Sequence, residues 1–373
     1  MGRISMSNKK RIRLKNKLSD YLVLPEFFAY KLHYPNFISL LTDLKDVKEG
    51  YNSNGISYFC EVISSKGVDI SKYDIKIKNY VDKISKNRGV GFTLKYYQYI
   101  AVLFTQMYLE EYFKYFKDDS INKNKFMDEI NKFIDKNNLS SIKKLGIKDF
   151  KPFKLAYYMA TGSGKTIVMH INYLQLVDFI NEYGVKIDNC ILITPSEYMT
   201  EQHINEFRKS GIDAIKFNGL TTLESFNTNN FIVKVIDINK LRESESKKGI
   251  GVTIDISAFG SQNLLLVDEG HKGYKSEEQE WIRRREKLSK NGFTLEYSAT
   301  FEQAISDDLK LMETYGHSII MDYSYKYFYR DGYGKDFYIL NLEKETPDDT
   351  DTRHTLLLGN ALSFLNQLMI YNN

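Results

Sequence analysis

The sequence predicts an α/β fold: a mostly parallel sheet flanked by helices, preceded by a mainly helical N-terminal extension. Three observations predict it. From Phe153 onward, short apolar runs suited to buried strands recur at 153–159, 190–194, 231–236, 264–267, 293–298 and 317–321, each separated from the next by a helical or loop segment. Parallel neighbours need such crossovers, because a tight turn cannot join them. The second observation is Met159-Ala160-Thr161-Gly162-Ser163-Gly164-Lys165-Thr166, placed between a strand-like run and a helical pattern. The third is Asp268-Glu269-Gly270-His271, about a hundred residues later, at the end of another apolar run.

Taken in order, the chain opens with a basic arm. Residues 1–19 carry Arg3, Lys9, Lys10, Arg11, Arg13, Lys15 and Lys17 and no acid, so the net charge of +4 leaves −3 on the remainder. Such an arm either binds nucleic-acid phosphates or is a solvated terminus. Residues 18–90 mix apolar clusters with Lys/Asp-rich turns and hold no motif. Leu94–Phe113 reads as a long amphipathic helix, because Tyr96, Tyr97, Ile100, Leu103, Phe104, Met107, Tyr108 and Tyr112 recur at i+3/i+4 spacing. Lys117–Lys136, rich in Lys and Asn, reads as a polar connector. The first strand follows, and then Thr166–Phe179 as a helix. Leu264–Val267 is a strand that delivers Asp268 to its carboxyl end, where ligands bind in open α/β sheets. Tyr323, Tyr325, Tyr327 and Tyr329 alternate, which predicts four rings on one strand face, either buried or free to stack unpaired bases. Thr355–Tyr371 is again helical in pattern.

Composition narrows the class. A 373-residue chain has room for about two domains. Its hydrophobic content of 42% and aromatic content of 14% are ample for a packed core. No stretch of 18 apolar residues predicts a membrane span, and the charged N-terminus lacks the apolar segment of a secretory signal. Cys60 and Cys190 lie far apart without nearby Cys/His partners, which fits buried thiols in a reducing cytoplasm.

The chemistry lies in the second and third observations. Glycines at 162 and 164 let backbone N–H groups turn inward around phosphates, while Lys165 reaches the β- and γ-phosphates and the Thr166 hydroxyl ligates Mg²⁺. The phosphates would rest on a helix N-terminus, whose N–H groups and dipole favour an anion. Asp268 would hold the Mg²⁺ through water, and Glu269 would orient the water that attacks the γ-phosphate. The usual pattern opens with Gly where this chain has Met159.

In their order along the chain, these motifs resemble the first RecA-like lobe of superfamily 2 DEAD/DEAH-type helicases, a P-loop NTPase fold. Within them the chain looks most like the helicase/UvrB N-terminal group and the motor (Res) subunit of type III restriction enzymes, over roughly residues 90–345. Ala160 to Thr166 resembles motif I, which in that family tolerates a non-Gly first position. Asp268-Glu269-Gly270-His271 resembles motif II, and the resemblance gives His271 a role coupling the nucleotide site to motif III or the second lobe. Thr194-Pro195-Ser196 resembles motif Ia, which grips a nucleic-acid strand; by itself it also reads as a strand-ending turn. Ser298-Ala299-Thr300 resembles motif III, which links the γ-phosphate state to that grip. Gln98 resembles the residue that reads the adenine edge, an amide able to donate and accept in one plane; it also fits a plain polar position on a helix.

The resemblance implies ATP and Mg²⁺ as cofactors and nucleic acid as partner, DNA in preference to RNA. A second-lobe subunit or a methyltransferase/specificity subunit is a further partner it allows. It divides the chain into an extension with the basic arm (1–90), the ATP-binding lobe (91–345), and a linker and helix (346–373). Nothing after Thr300 resembles the second lobe's Gln-x-x-Gly-Arg-x-x-Arg element, so the chain is expected to be a truncated frame, a fragment or half of a split motor. Two alternatives stay open: a P-loop ATPase of another class, and a non-catalytic relic that binds nucleic acid or a partner. Pro347-Asp348-Asp349 lacks the Glu-x-Lys of a nuclease and reads as a loop. His33, His170, His203, His317 and His354 have no metal-ligand spacing and read as ordinary residues.

Overall fold

The computed structural model describes residues 17–116, 121–137, 153–217, 231–242, 254–269, 279–306, 308–334 and 350–371. Most of the basic arm, His271 and Pro347-Asp348-Asp349 lie outside them. The chain begins with α1 (Leu24–Lys31), α2 (Phe37–Leu44), α3 (Tyr58–Ser64), α4 (Ser71–Arg88), α5 (Tyr96–Phe116) and α6 (Ile121–Lys136). There follow β1 (Lys154–Met159), α7 (Lys165–Tyr183), β2 (Asn189–Thr194), α8 (Glu197–Lys209), β3 (Ala214–Lys216), β4 (Val233–Asp237), β5 (Leu241–Arg242), β6 (Ile254–Asp255) and β7 (Asn263–Asp268). Next come α9 (Gln279–Leu288), β8 (Phe293–Ser298), α10 (Phe301–Ile305), α11 (Leu309–Gly316), β9 (Ile319–Tyr323) and α12 (Tyr325–Arg330). This compact unit ends at Tyr333, and a second unit from Gly334 onward holds α13 (Thr350–Tyr371).

Seven strands form one sheet in the order β3-β4-β2-β7-β8-β1-β9, and every neighbouring pair is parallel. All six expected strand runs are strands of this sheet. The edge strand β3 was not foreseen; three residues are too few to show a period.

Successive strand residues face opposite sides, and the two sides are packed differently. On one, Leu155, Tyr157, Leu192, Leu264, Leu266, Leu295 and Tyr297 join a cluster that continues through α5 and α7 into α1–α4. Tyr157 stacks on Tyr297 at 4.7 Å, and it shares a 2.7 Å hydrogen bond with Thr105 of α5. Asn172 of α7 donates to the Tyr297 hydroxyl at 2.9 Å, which pins that helix over the sheet. On the other side, Ile191, Ile193, Leu265 and Val267 pack with Leu288 of α9, and Ala156 and Tyr158 pack with α10 and α11. Between these two clusters lies buried Glu296, which takes Lys154 at 3.1 Å and a hydrogen bond from the Tyr315 hydroxyl.

Three expectations are corrected. Leu94–Phe113 is not amphipathic: α5 is buried nearly all round, as a helix enclosed by other elements must be. Lys117–Lys136 is not a connector over its described part, because Ile121–Lys136 is α6. Phe126, Met127, Ile130, Phe133 and Ile134 are buried on one face of it, with Phe126 edge-on to Phe27 and Tyr108. Each such burial is worth about 1.5–3 kcal/mol, against a few tenths for the weak helix propensity of Asn. The alternating tyrosines do not share a strand. Tyr323 ends β9, the Asp322 carboxylate accepts from the Ser324 N–H at 3.0 Å, and the chain turns into α12. Tyr327 is then buried, while Tyr325 and Tyr329, one helical turn apart, are half exposed.

Candidate active site

The site is built at the carboxyl edge of the sheet from strands that end level with one another. Tyr158 of β1 lies opposite Ser298 of β8, and Tyr297 of β8 lies opposite Asp268 of β7. One strand therefore separates the phosphate-loop strand from the acidic strand, and the loops leave all three together.

After Met159, the Ala160 N–H bonds to the Tyr323 carbonyl at 2.8 Å and anchors the loop to the edge strand. Thr161 and Gly162 are exposed, and the buried Ser163 hydroxyl donates to the Ala160 carbonyl at 2.7 Å. Gly162 and Gly164 have φ of 84° and 80°, a left-handed backbone that side chains resist. A Cβ at Gly164 would also run into the Gln98 amide. Lys165 and Thr166 open α7, whose cap, Gly164, contributes no side-chain hydrogen bond. The Lys165 ammonium donates to the Met159 and Ala160 carbonyls at 3.2 Å each. Burial pushes its pKa down, and the Glu269 and Asp268 carboxylates pull it back up. The acidic pair thus acts on the lysine across the site.

Asp268 is buried, and one of its oxygens, Oδ2, accepts from His203 Nε2 at 2.9 Å. Glu269 follows with φ of 57°, an uncommon left-handed conformation for a residue with a side chain. Thr194 ends β2, shares a 2.7 Å hydrogen bond with Thr200, and lines one small cleft with Pro195, Asp268 and Glu269. Ser196 caps α8 by accepting from the Met199 N–H at 3.4 Å. The Ser298 hydroxyl accepts from the Thr300 N–H at 3.0 Å across Ala299, and the Thr300 hydroxyl is buried without a hydrogen-bond partner among the described residues.

Beside the loop lies a cavity of about 600 Å³ lined by Arg88, Phe92, Lys95, Tyr97, Gln98 and Gly162–Gly164. Gln98 accepts from the Lys95 N–H at 2.9 Å and donates to the Ser163 carbonyl at 2.8 Å, so it is tied directly to the glycine loop. Its neighbour Tyr97 stacks on Tyr323 at 3.7 Å, and the Tyr96 and Tyr323 hydroxyls both donate to Asp331. The structure thus gathers Gln98, the loop, Asp268, Glu269, Thr194–Ser196 and Ser298–Thr300 at one edge.

Sequence reading missed His203 and Arg88. His203 sits one helical turn past Thr200 on α8, and a lone His on a helix carries no signal of its partner. Arg88, at the end of α4, binds Glu206 at 2.9 Å and Ser210 at 3.0 Å, which brings the helical extension to the cavity wall.

A parallel sheet with a left-handed glycine loop, a lysine on a helix N-terminus and a facing acidic pair defines the first lobe of a superfamily 2 helicase-type ATPase. The chain belongs to the family described as type III restriction enzyme, res subunit, whose sequence model matches residues 92–303, more than half of its length. Among solved structures it is similar to the Sulfolobus solfataricus SWI2/SNF2 ATPase core in complex with dsDNA, with 13% identity and a TM-score of 0.28. That match covers 48% of this chain, which spans about a third (34%) of the ATPase core. No curated protein matches the chain.

Proposed function

We propose that these residues are the ATP- and DNA-binding lobe of a helicase or translocase of restriction or phage-defence type, working in the cytoplasm. The placement of Lys165 on the α7 N-terminus beside a left-handed glycine loop, with Asp268 and Glu269 at a neighbouring strand end, carries this reading, because a triphosphate and its metal need all of these groups at one point. The residues fit MgATP: Gly162 and Gly164 supply the left-handed backbone on which N–H groups would turn toward phosphate, and Lys165 would contact its β- and γ-oxygens. Thr166 and Asp268 would hold Mg²⁺, which when bound neutralises charge building on those oxygens. Glu269 would orient the attacking water, Gln98 would meet the adenine edge in the cavity, and His271 would couple the site to motif III or a second lobe. Thr194-Pro195-Ser196 would contact the DNA backbone, and Ser298-Ala299-Thr300 would relay nucleotide state to that grip.

Arginines from a second lobe complete such sites and are worth roughly 10³–10⁵ in rate. The 373-residue chain alone is therefore expected to bind MgATP, to hydrolyse it very slowly and not to unwind DNA. Titration of a fluorescent ATP analogue tests this: Lys165→Ala should abolish binding while the circular dichroism stays that of the parent. Near-normal affinity in the variant would remove Lys165 from the site, and brisk DNA-stimulated turnover by the isolated chain would contradict the two-lobe argument.

A further inference from the structure

We propose that His203 is a positioning residue for Asp268, and that through it α8 ties the metal-holding carboxylate to the Thr194-Pro195-Ser196 segment. This rests on the nucleotide-site reading above and adds to it a route by which a bound strand reaches the magnesium site. Both groups are buried, and His203 Nε2 donates to Asp268 Oδ2 at 2.9 Å. The ring's other nitrogen, Nδ1, is buried without a hydrogen-bond partner among the described residues. An unmade buried hydrogen bond costs free energy, and an apolar residue would fill this place on α8 without that cost. The imidazole is therefore kept for what Nε2 does.

What Nε2 does is fix one carboxylate oxygen. With Oδ2 held, the plane of the carboxylate is set and Oδ1 remains for a metal or its water. Hydrogen-bond partners that orient ligating groups in this way matter by about 10–100-fold in metal affinity.

The helix supplies the second half of the argument. α8 begins at the Ser196 cap, and the Thr200 hydroxyl bonds both to Thr194 Oγ1 at 2.7 Å and to the Ser196 carbonyl at 3.2 Å. His203 lies three residues beyond Thr200 on the same helix face. A strand that shifts Thr194–Ser196 thus shifts the helix that carries His203. By linkage, MgATP must then alter the affinity for that strand by the same factor.

The test titrates Mg²⁺ against binding of a fluorescent, non-hydrolysable ATP analogue to the full chain, with and without a short DNA duplex. Glutamine places its amide nitrogen where histidine places Nε2, whereas asparagine places it where histidine has Nδ1. His203→Asn should raise the Mg²⁺ midpoint about tenfold and leave affinity in EDTA unchanged, while His203→Gln should restore the parent midpoint. A role in packing alone would move both variants alike, and that result, or a parental midpoint in His203→Asn, overturns the proposal. Thr200→Val, which leaves His203 and Asp268 in place, should keep the midpoint without DNA and lose the shift that DNA causes. Persistence of that shift, or its absence from the parent, overturns the coupling. A parent chain that binds no nucleotide in Mg²⁺ overturns the underlying reading, and this one with it.

Discussion

Two helices start at the same edge of the sheet, α7 after β1 and α8 after β2, and their first turns are built in opposite ways. α7 is capped by Gly164 at φ 80°, with no side-chain cap and no acid in its first turn. α8 is capped by the Ser196 hydroxyl, and Glu197 stands in its first turn, paired with Lys216 at 2.7 Å and Lys240 at 3.2 Å. Both helices carry about half a positive charge at this end from aligned peptide dipoles. The difference lies in what the chain does with its unpaired N–H groups. α8 satisfies one of its own, that of Met199, with the Ser196 side chain, whereas α7 has no side-chain cap. The anion site proposed at α7 would thus be made as much by withholding a cap as by adding a lysine.

The sharpest way to break the comparison is to put a side chain on the open cap. Gly164→Ala forces a left-handed alanine, at a cost of about 1–2 kcal/mol, and drives its Cβ into the Gln98 amide. Affinity for MgATP should fall by at least about tenfold, the equivalent of some 1.4 kcal/mol. The control is at the other end of the same helix. Gly184 has φ of 64° and open space where an alanine methyl would stand, so Gly184→Ala should lower the thermal midpoint comparably and leave nucleotide affinity alone. Equal loss of affinity in both would mean that α7 is merely fragile, and that Gly164 is no cradle.

Strand-end carboxylates on this edge allow a second contrast. Asp268 faces Lys165 and is held by His203, whereas Asp322, opposite Tyr158, is fully buried. Burial raises the Asp322 pKa from 3.8 to about 6, only partly offset by hydrogen bonds from Ser324. The folded protein therefore binds a proton more tightly than the unfolded chain does. The stability this contributes is complete below about pH 4 and is lost as pH rises through about 6. Asp322→Asn should flatten that decline and raise stability at pH 8 by about 1–3 kcal/mol, as measured by urea denaturation at pH 4, 6 and 8. An unchanged pH profile would show that Asp322 titrates normally.

These contrasts explain what could be read in the sequence. Gly162 and Gly164 were legible because a left-handed turn demands that residue type, and Lys165 because a lysine after such a turn is what the proposed phosphate contact would need. Asp268 was legible because a continuous apolar strand points to it. The six longer strands showed for a similar reason: buried on both faces, they are mostly apolar, with single polar residues such as Lys234, Glu296 and Asp322 among them. What stayed hidden depends on partners. Ile121–Lys136 reads as polar until Phe27 and Tyr108 are there to receive Phe126. The tyrosines from 323 onward alternate in sequence, but the chain leaves the sheet after the first. His203 meets Asp268 only because folding brings α8 to the end of β7, and no local pattern announces a contact across 65 residues.

The smallest effect is expected at the closed cap. Ser196→Ala removes the acceptor for the Met199 N–H and should cost about 1 kcal/mol, a drop of about 2–4 °C in thermal midpoint for a domain of a few hundred residues. Opening this N-terminus should not create a second phosphate site, because Glu197 remains in the first turn and no left-handed glycine lets the backbone curl around an anion. The double variant Lys165→Ala/Ser196→Ala should therefore bind MgATP no better than Lys165→Ala. Recovered binding in the double variant would show that an uncapped helix end suffices at this edge, and that the glycines and lysine of the α7 loop only improve on it.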